Sequence, residues 1–354
     1  MRDLTTILVT GAGAPGIRGT LYCLEHNFDR AATRIVVCDM RPDPVGRYFA
    51  ANCVQLPAPE SPDYIGRLLE ICRQEAVDAV LPQTTREIVA LSRERDRLAA
   101  AGSPVAVGSP ASIALTNDKW ALMELFSRLH LPHPRSVLTR SETELVEAAH
   151  ALGYPKLPVA VKPPVSNGMR GFRVLCEQDR WTVERFLSEK PSGDEITLSA
   201  LLAILRRGKW PALMVSEFLP GPEYSVDAFI GQHLKVAVPR VRQSIRSGIT
   251  FESRTDFRPD LVDYTLRAAE TAGLTLAFGF QFKLDDAGVP KVLECNPRVQ
   301  GTMVASLFAG ANLPWLAVRE VLGYPVKQLE PLQDASFYRY WGGVGVAAEG
   351  AHEI

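Results

Sequence analysis

The sequence lacks the features that would assign it to several specialised classes of protein. Its formal net charge is −1 over 354 residues, so no excess of positive charge indicates a nucleic-acid or membrane partner. No uninterrupted apolar stretch reaches the roughly 20 residues needed to span a bilayer, and the first residues lead directly into a strand pattern, unlike a signal peptide. Internal repeats and low-complexity tracts are also absent from the sequence. We therefore expect an ordinary globular protein, in which local positive charge must meet any bound anion such as a nucleotide.

Cysteine is scarce and scattered, and no two cysteines form a Cys-x-x-Cys pair. The spacing predicts neither a zinc site nor a disulfide framework, so we interpret these residues as reduced thiols that serve mostly as small core hydrophobes. Reduced thiols favour a cytoplasmic location. The six positions are Cys23, Cys38, Cys53, Cys72, Cys176 and Cys295.

The first part of the chain alternates between strand and helix patterns. Short apolar runs at 7–9, 35–38, 79–82 and 104–107 predict buried strands. Intervening segments with helical periodicity predict helices on both faces of a parallel sheet. We therefore predict an α/β, Rossmann-like domain over residues 1–112.

The remainder of the chain has a different pattern, which predicts an α+β region in two lobes. In residues 113–205, Asp118 is positioned to cap a helix at 119–129, and a strand at 159–162 precedes a polar, glycine-containing loop. In residues 206–354 strand patterns dominate. We predict a small lobe and a large lobe with these boundaries.

The pattern Gly-x-Gly-x-x-Gly occurs at Gly11, Gly13 and Gly16, between the first strand and the first helix, and Asp39 ends the next strand. This spacing is typical of dinucleotide-binding domains and would indicate an NAD-dependent oxidoreductase. The same glycines also occur where only a tight turn and close helix packing are required. Pro15 is an unusual residue for a pyrophosphate loop, so the motif alone does not decide between these interpretations.

Lys162 ends an apolar strand and is followed by a loop with two glycines. A lysine on a rigid strand supplies a positive charge, and the loop supplies backbone N–H groups, so the pair suits nucleotide phosphates. The loop is not a Walker A motif, because no Gly-Lys-Ser/Thr follows it. The alternative is a lysine at a strand end beside a surface turn.

Two acidic residues flank a Pro-Gly-Pro turn between neighbouring strands. Glu217 precedes the turn and Glu223 follows it. One carboxylate could accept hydrogen bonds from an adenine amino group and the other from ribose hydroxyls. A hairpin with solvated acids would show the same pattern.

The segment 278–298 carries the most specific signal. Gln281 lies on the polar face of an alternating strand, and Glu294 and Asn296 lie on the return strand after an Asp-Asp-Ala-Gly turn. Pairing of Leu284 with Val289 would set Gln281 diagonally beside Glu294. Such clustered oxygen ligands suit Mg²⁺, and Arg298 would stabilise charge on a phosphoryl group nearby.

Taken in order, these elements resemble the ATP-grasp superfamily, in particular its branch with the carbamoyl-phosphate synthetase large chain, biotin carboxylase and the pyrrolysine-pathway ligase. The resemblance covers nearly the whole chain. It implies a pre-ATP-grasp domain followed by the two ATP-grasp lobes. The matching segments are 117–119, 161–162 with the loop 166–171, 217–223, 294–298 and 300–302.

The resemblance also implies roles for individual residues. Lys119 and Lys162 would contact ATP phosphates, and Arg298 and Lys162 would act in catalysis. One or two Mg²⁺ ions, or Mn²⁺ in their place, would bind to Gln281, Glu294 and Asn296. The other implied ATP-binding residues are Ser166, Asn167, Gly168, Gly171, Glu217, Phe218, Leu219 and Glu223.

The implied reaction is phosphoryl transfer from ATP to a carboxylate, followed by attack of an amine on the acyl phosphate and release of ADP and phosphate. Arg240, Arg242 and Arg246 lie in one stretch, and we predict that at least one faces the substrate carboxylate. A bicarbonate- or carbamate-activating enzyme, an NAD-dependent oxidoreductase and a binding protein without turnover are the alternatives. We predict small-molecule carboxylate and amine substrates, and a homodimer would be compatible with the sequence.

Overall fold

A computed structural model describes residues 4–177, 182–189, 193–330, 332–347 and 350–354. Over these residues the chain is a mixed α/β protein, as predicted, with a parallel sheet near the N-terminus and largely antiparallel sheets after it. The parallel sheet has four strands in the order β3-β2-β1-β4. Its strands are β1 (Leu4–Thr10), β2 (Ala32–Asp39), β3 (Asn52–Gln55) and β4 (Ala79–Leu81).

Three of the four predicted N-terminal strands are confirmed, and the fourth is wrong. The segment 104–107 contributes one parallel bridge, between Val80 and Val105, instead of a strand. The fourth strand is β3, whose polar sequence Asn-Cys-Val-Gln gave no buried-strand signal. The edge position of β3 explains its partial exposure, because one side of an edge strand faces solvent.

Helices cover the parallel sheet and lead into the next region. Asp118 caps the last of them, accepting hydrogen bonds from the backbone N–H groups of Trp120 at 2.8 Å and Ala121 at 3.2 Å, as its sequence position predicted. The helices are α1 (Ile17–Glu25), α2 (Tyr64–Gln74), α3 (Thr85–Arg93), α4 (Arg95–Ala100), α5 (Pro110–Asn117) and α6 (Lys119–Arg128), with a 3₁₀ turn at Val45–Phe49.

The small lobe contains a five-stranded sheet in the order β5-β9-β6-β7-β8. Two helices of this lobe, at 142–151 and 198–205, pack apolar residues on the sheet to form a separate core. Its strands are β5 (Ser136–Thr139), β6 (Val159–Lys162), β7 (Arg173–Leu175), β8 (Glu195–Ile196) and β9 (Leu213–Glu217), and its helices are α7 (Glu142–Ala151), α8 (Val183–Ser188) and α9 (Leu198–Leu205).

The large lobe is built on a six-stranded sheet in the order β14-β13-β10-β11-β12-β15. One face is apolar: Phe278, Phe280 and Phe282 alternate along β13 and pack on α6 and on the helix Pro259–Thr271. The strands are β10 (Glu223–Ile230), β11 (Lys235–Arg246), β12 (Ile249–Thr255), β13 (Leu276–Leu284), β14 (Pro290–Asn296) and β15 (Ser336–Tyr338).

The last elements complete the large lobe. In the part of the chain that the structure describes, no helix combines the length and the hydrophobicity that crossing a bilayer requires. These elements are α10 (Pro259–Thr271), α11 (Val304–Phe308), α12 (Leu313–Val321) and a terminal hairpin of β16 (Val344–Ala347) and β17 (Gly350–Glu353).

The register of the β13–β14 hairpin differs from the one that we predicted. Leu284 pairs with Pro290, not with Val289, and a bulge follows, so that Gln281 lies directly opposite Glu294. The bulge leaves Leu293 without a partner residue on β13. The two polar side chains are therefore closer neighbours than the regular register would have made them.

Candidate active site

The second face of the large sheet is polar at one end, where side chains of the small lobe contact it, and apolar at the other, where Phe229 packs on the N-terminal domain. Along β10 the alternation that buries Tyr224 and Val226 on the apolar face places Glu223, Ser225 and Asp227 on this one. Through the paired strands, the same face carries the metal-binding side chains that the sequence predicted. The sheet thus collects side chains from distant parts of the sequence.

Two buried lysines reach this face from other elements. Lys119, the first residue of α6, places its Nζ atom 2.8 Å from the carbonyl oxygen of Ser166 and 3.4 Å from Oε2 of Glu294. Lys162, at the end of β6, donates from Nζ to the carbonyl oxygen of Leu293 at 3.0 Å. That carbonyl belongs to the bulge residue of β14. The bulge therefore supplies an acceptor that holds Lys162 beside Glu294.

The environment of Lys162 changes its acid–base behaviour. The pKa of its ammonium group is lowered to about 8, chiefly by burial; Glu294 and Glu223 oppose this shift, whereas the positive charge of Lys119 adds to it. Its only hydrogen bond in the described structure is to a neutral carbonyl group. An anionic ligand at this point would restore the full charge of Lys162.

The three residues predicted to bind metal lie together at the end of the β13–β14 hairpin. Gln281 is opposite Glu294 in the sheet, and Asn296 donates from Nδ2 to Oε1 of Glu294 at 3.2 Å. Among the described residues, no cluster of three or more His, Cys, Asp or Glu side chains could hold a metal ion. One carboxylate and two amides do fit Mg²⁺ that shares its coordination shell with phosphate oxygens and water.

Arg298 links this cluster to the N-terminal domain. Its Nη2 atom donates to Oδ1 of Asn296 at 3.2 Å, and its Nε atom donates to Oγ1 of Thr85 at 3.0 Å. Thr85 begins α3, just after β4. Because β1 and β4 are the neighbours at which the strand order of the parallel sheet reverses, Arg298 lies beside the crevice where open α/β sheets bind ligands.

Glu217 is held at the end of β9 by two cations. Oε1 accepts from Nζ of Lys291 at 2.6 Å, and Oε2 accepts from Nε of Arg135 at 2.8 Å. These partners keep the pKa of the Glu217 carboxyl below its usual value despite the opposing effect of burial. Phe218 and the buried Leu219 follow directly. The adenine contacts predicted for these three residues remain a prediction.

Glu223 is bonded to one of the predicted substrate arginines. Arg242 forms a short ion pair with Glu223, donates to Oγ1 of Thr250 at 2.8 Å and donates to the carbonyl oxygen of Gly248 at 2.7 Å. The guanidinium group of Arg242 therefore links Glu223, whose carboxylate is predicted to bind ribose, to the turn between β11 and β12. A ribose contact through Glu223 would have to form beside this ion pair.

The other two arginines of the stretch have separate environments. Arg240 is 1% exposed and is paired with the fully buried Asp227. Arg246 is exposed, and its guanidinium carbon lies 4.5 Å from the centre of the Phe251 ring. The structure therefore does not bring the three arginines to one point, and their role in substrate binding remains a prediction.

The loop predicted to cover the phosphates runs from Ser166 to Gly171. Gly168 and Gly171 adopt positive φ values of 59° and 77°, the region that glycine enters without strain. Asn167 accepts a hydrogen bond from Nη1 of Arg170 on its side-chain oxygen at 2.7 Å. The backbone of Ser166 is the acceptor for Lys119, so the loop and the first lysine are physically joined.

The glycine pattern near the N-terminus is used for packing. The backbone N–H of Gly13 donates to Oδ2 of Asp39 at 2.7 Å, so the acid and the loop bond to each other. A Cβ atom on Gly16 would lie 2.3 Å from Cα of Gly301, in the segment after Arg298. The bond at Gly13 holds the loop within the N-terminal domain, and the close approach at Gly16 joins that domain to the large lobe.

Sequence reasoning missed several residues that support the site. Lys291, Thr85 and the bulge residue Leu293 make the contacts just described. Asp227 could have been recognised, because it follows Glu223 at a spacing of four on the same face of β10. The carbonyl of Leu293 gave no signal, since a bulge is defined only by pairing with another strand.

Two family models match the chain in adjacent regions. One, described as "PylC-like, N-terminal domain", matches residues 7–106. The other, described as "ATP-grasp in the biosynthetic pathway with Ter operon", matches residues 209–341. The second region includes β10 to β15 and every residue of the predicted metal cluster.

Related sequences include carbamoyl phosphate synthase large chains. The chain is 26% identical over 347 residues to the one from Rubrobacter xylanophilus, covering 92% of this chain and 30% of the relative. It is 30% identical over 247 residues to the one from Bifidobacterium adolescentis, covering 66% of this chain and 21% of the relative. The chain therefore spans less than a third of the length of these curated relatives.

Solved structures share the fold at low sequence identity. An ADP complex of N5-carboxyaminoimidazole ribonucleotide synthetase gives a TM-score of 0.70 at 15% identity, covering 94% of this chain and 80% of that one. Biotin carboxylase from Campylobacter jejuni gives 0.69 at 16%, covering 94% and 74%. The biotin carboxylase domain dimer of Hydrogenobacter thermophilus 2-oxoglutarate carboxylase gives 0.69 at 14%, covering 100% and 84%.

Proposed function

We propose that this chain, which belongs to the ATP-grasp superfamily, is an ATP-dependent ligase that converts a carboxylate into an acyl phosphate and joins it to an amine. The proposal rests on the convergence of Lys119, Lys162 and Glu294 beside Arg298 on one face of the large sheet. Such an arrangement of cations around one metal-binding carboxylate suits the triphosphate of ATP better than any neutral ligand.

The proposed nucleotide site lies between the two lobes. Lys119 and Lys162 would leave their present acceptors to bind phosphate oxygens, and the loop from Ser166 to Gly171 would close over them. Glu217 and Glu223 would accept hydrogen bonds from adenine and ribose. Gln281, Glu294 and Asn296 would hold Mg²⁺, which would neutralise phosphate charge when bound.

Phosphoryl transfer needs little covalent chemistry from the protein, so positioning and charge carry most of the catalysis. Arg298 would stabilise the phosphoryl group as it moves from ATP to the carboxylate, because its guanidinium lies next to Asn296 of the metal cluster. The amine would attack from the N-terminal side, where Thr85 ends the crevice of the parallel sheet. Displacement of phosphate then forms the amide bond.

A second candidate is activation of bicarbonate in place of an organic acid. It is favoured by the likeness to carbamoyl phosphate synthase large chains and by a structural neighbour that was solved with MgADP and bicarbonate. The two candidates use the same nucleotide and metal site. They differ in the acid, which the side chains described above do not identify.

A phosphate-release screen tests the proposal. The protein would be incubated with MgATP and a panel of amino acids and other carboxylates, each with and without a panel of amines, and with bicarbonate as a separate series. Release that requires both an acid and an amine supports the acid–amine ligase. Release that requires bicarbonate supports the second candidate. The absence of acid-dependent release in every series, in a protein that binds MgATP, would contradict both.

The remaining expectations are part of the same proposal. We propose small-molecule substrates and a cytoplasmic setting, in which the six cysteines of the sequence would stay reduced. A homodimer is a further expectation, and its measurement by sedimentation is independent of the reaction assay. The boundaries at residues 112 and 205 also remain predictions.

A further inference from the structure

A fully buried ionic cluster lies behind the metal site. Of its members, only Arg240 was considered above, as one of three arginines predicted to bind substrate. Asp227, which is 0% exposed, accepts from Nε of Arg240 at 2.9 Å, from Nη2 of Arg240 at 2.8 Å and from Oγ of Ser306 at 2.6 Å. Its second carboxylate oxygen accepts from Nε2 of Gln300 at 3.3 Å. Arg240 also donates to Ser253 at 3.1 Å.

Burial of the charged groups in this cluster has a high desolvation free energy, so net stability does not by itself explain why the cluster is there. Buried ion pairs rarely add net stability, because desolvation opposes the attraction between the charges. In this cluster the acceptors and donors are well satisfied, and Gln300 and Ser306 both belong to the segment that follows β14. The pair therefore holds that segment against the sheet.

A row of residues across three strands shows how the segment is held. Asp227 on β10 pairs with Gly279 on β13, and Gly279 pairs with Asn296 on β14. A Cβ atom on Gly279 would lie 1.3 Å from Nε2 of Gln300. The side chain of Gln300 thus crosses the sheet over a glycine to reach Asp227.

The consequence concerns Arg298, which lies between the two fixed points. Asn296 is anchored in β14, and Gln300 is anchored on Asp227. The guanidinium of Arg298 also bonds to the carbonyl oxygen of Val299 at 2.9 Å, between these anchors. Loss of the hydrogen bond between Gln300 and Asp227 would allow the segment 297–299 to move, and with it the guanidinium group of Arg298.

We propose that Asp227, through Gln300 and with Arg240 as its counter-ion, is a positioning residue for Arg298. The pair sets the geometry of the phosphoryl-transfer site without touching the nucleotide, the acid or the metal. This inference rests on the proposed function, because it assigns Arg298 to the moving phosphoryl group. Gly279 is part of the same arrangement, because the absence of a side chain there leaves room for the side chain of Gln300.

The test measures MgADP affinity with and without aluminium fluoride, which mimics a phosphoryl group in flight and needs no knowledge of the acid. Gly279→Ala displaces Gln300 while leaving the ion pair in place, and Gln300→Met removes the anchor directly. Arg298→Ala gives the response expected for loss of the guanidinium. Gly66→Ala is the matched control, because a Cβ atom at Gly66 meets nothing within 4 Å.

In the wild type and in Gly66→Ala, aluminium fluoride should increase the affinity for MgADP at least about 10-fold. In Gly279→Ala, Gln300→Met and Arg298→Ala this gain should fall to about twofold or less, while the affinity for MgADP alone stays within about threefold. Retention of the gain in both anchor variants would overturn the positioning role. The positioning role would also be overturned if the wild type bound MgADP with the same affinity in the presence and absence of aluminium fluoride.

Failure of the proposed function gives a different result, because a wild type that does not bind MgADP at all would contradict the nucleotide site itself. A substrate-binding role for Gln300 is also distinguishable once the acid is known. If Gln300→Met raises KM for the acid and leaves kcat unchanged, Gln300 contacts substrate and the positioning role is wrong. The proposal predicts the reverse, a kcat that falls about 100-fold with KM little changed.

Discussion

At the scale of single residues, the candidate site contains a few charged side chains that are held by contacts within the protein. Lys119 pairs with Glu294, and Lys162 bonds to the carbonyl of Leu293. In the proposed complex, phosphates and metal would take the place of each of these partners. The sequence pattern pointed to Lys162 and Glu294, because charged residues at the ends of apolar strands can be recognised, and the resemblance added Lys119. It did not predict the carbonyl, because backbone groups carry no sequence signal.

Replacement of Glu294 tests the metal assignment. Glu294→Ala should reduce ATP turnover at least about 100-fold, because it removes the only carboxylate among the three predicted metal ligands and the ionic partner of Lys119. The melting temperature should change by only a few degrees, since the side chain is 27% exposed. Glu252→Ala, at an exposed position on β12, is the control and should keep full turnover. Near-normal turnover in a folded Glu294→Ala protein would refute the assignment.

The lowered pKa of Lys162 leads us to predict that nucleotide binding depends on pH. In the proposed site its ammonium form would bind phosphate, and the pKa of this group is about 8. MgADP affinity should therefore be constant below pH 8 and fall as the pH rises above 8, until the pH exceeds the higher pKa of the complex. Calorimetry between pH 7 and 9.5 measures this effect. Lys162→Met should bind more weakly with no such dependence, and an unchanged profile in the wild type would contradict the prediction.

At the scale of secondary-structure elements, the sequence predicted whether a segment is a helix or a strand better than it predicted which residues of neighbouring strands pair. Helix α6 and its cap at Asp118 follow from local patterns and are confirmed. The hairpin of β13 and β14 was predicted as an element, but its register was wrong because the bulge at Leu293 depends on contacts between strands. Strand β3 was missed, since a short polar edge strand is stabilised by its neighbour and not by its own composition.

The loop between β6 and β7 supplies a prediction at this scale. Gly171 has φ of 77°, and a Cβ atom there would lie 2.7 Å from Cγ of Pro163. Gly171→Ala should therefore strain the loop by about 1 to 3 kcal/mol and weaken MgATP binding. Gly102→Ala is the matched control: its φ is 87°, but no atom lies within 4 Å and it is far from the loop in sequence. Equal MgATP affinity in both variants would show that the loop does not cover the phosphates.

At the scale of the whole molecule, the N-terminal domain and the large lobe meet at the segment that carries Arg298. Gly16 contacts Gly301 there, and Arg339 donates to the carbonyl oxygens of Pro15 at 3.1 Å and Gly301 at 3.0 Å. The sequence indicated the glycine pattern but left its purpose open. Only the assembled fold brings residues almost 300 positions apart into contact, so neither this contact nor the cluster at Asp227 could be derived from local sequence.

The domain contact predicts the effect of a small substitution. Gly16 has φ of −93°, which alanine adopts without strain, but its Cβ atom would lie 2.3 Å from backbone Cα of Gly301. Gly16→Ala should therefore destabilise the protein by about 1 to 3 kcal/mol, and it should lower ATP turnover by displacing the segment after Arg298. Denaturant unfolding and phosphate release measure the two effects. Unchanged values for both would mean that the domains are not held at this contact.

The central claim is that the site between the lobes, and not the glycine pattern near the N-terminus, binds the nucleotide. Thermal unfolding with MgATP, MgADP or NAD(P)H tests it most directly, because a ligand that binds only the native state raises the melting temperature. We predict stabilisation by both magnesium nucleotides and none by NAD(P)H, with the shift by MgADP reduced in Lys162→Met. Stabilisation by NAD(P)H alone would place the active site at Gly11, Gly13 and Gly16 and would contradict the ligase proposal.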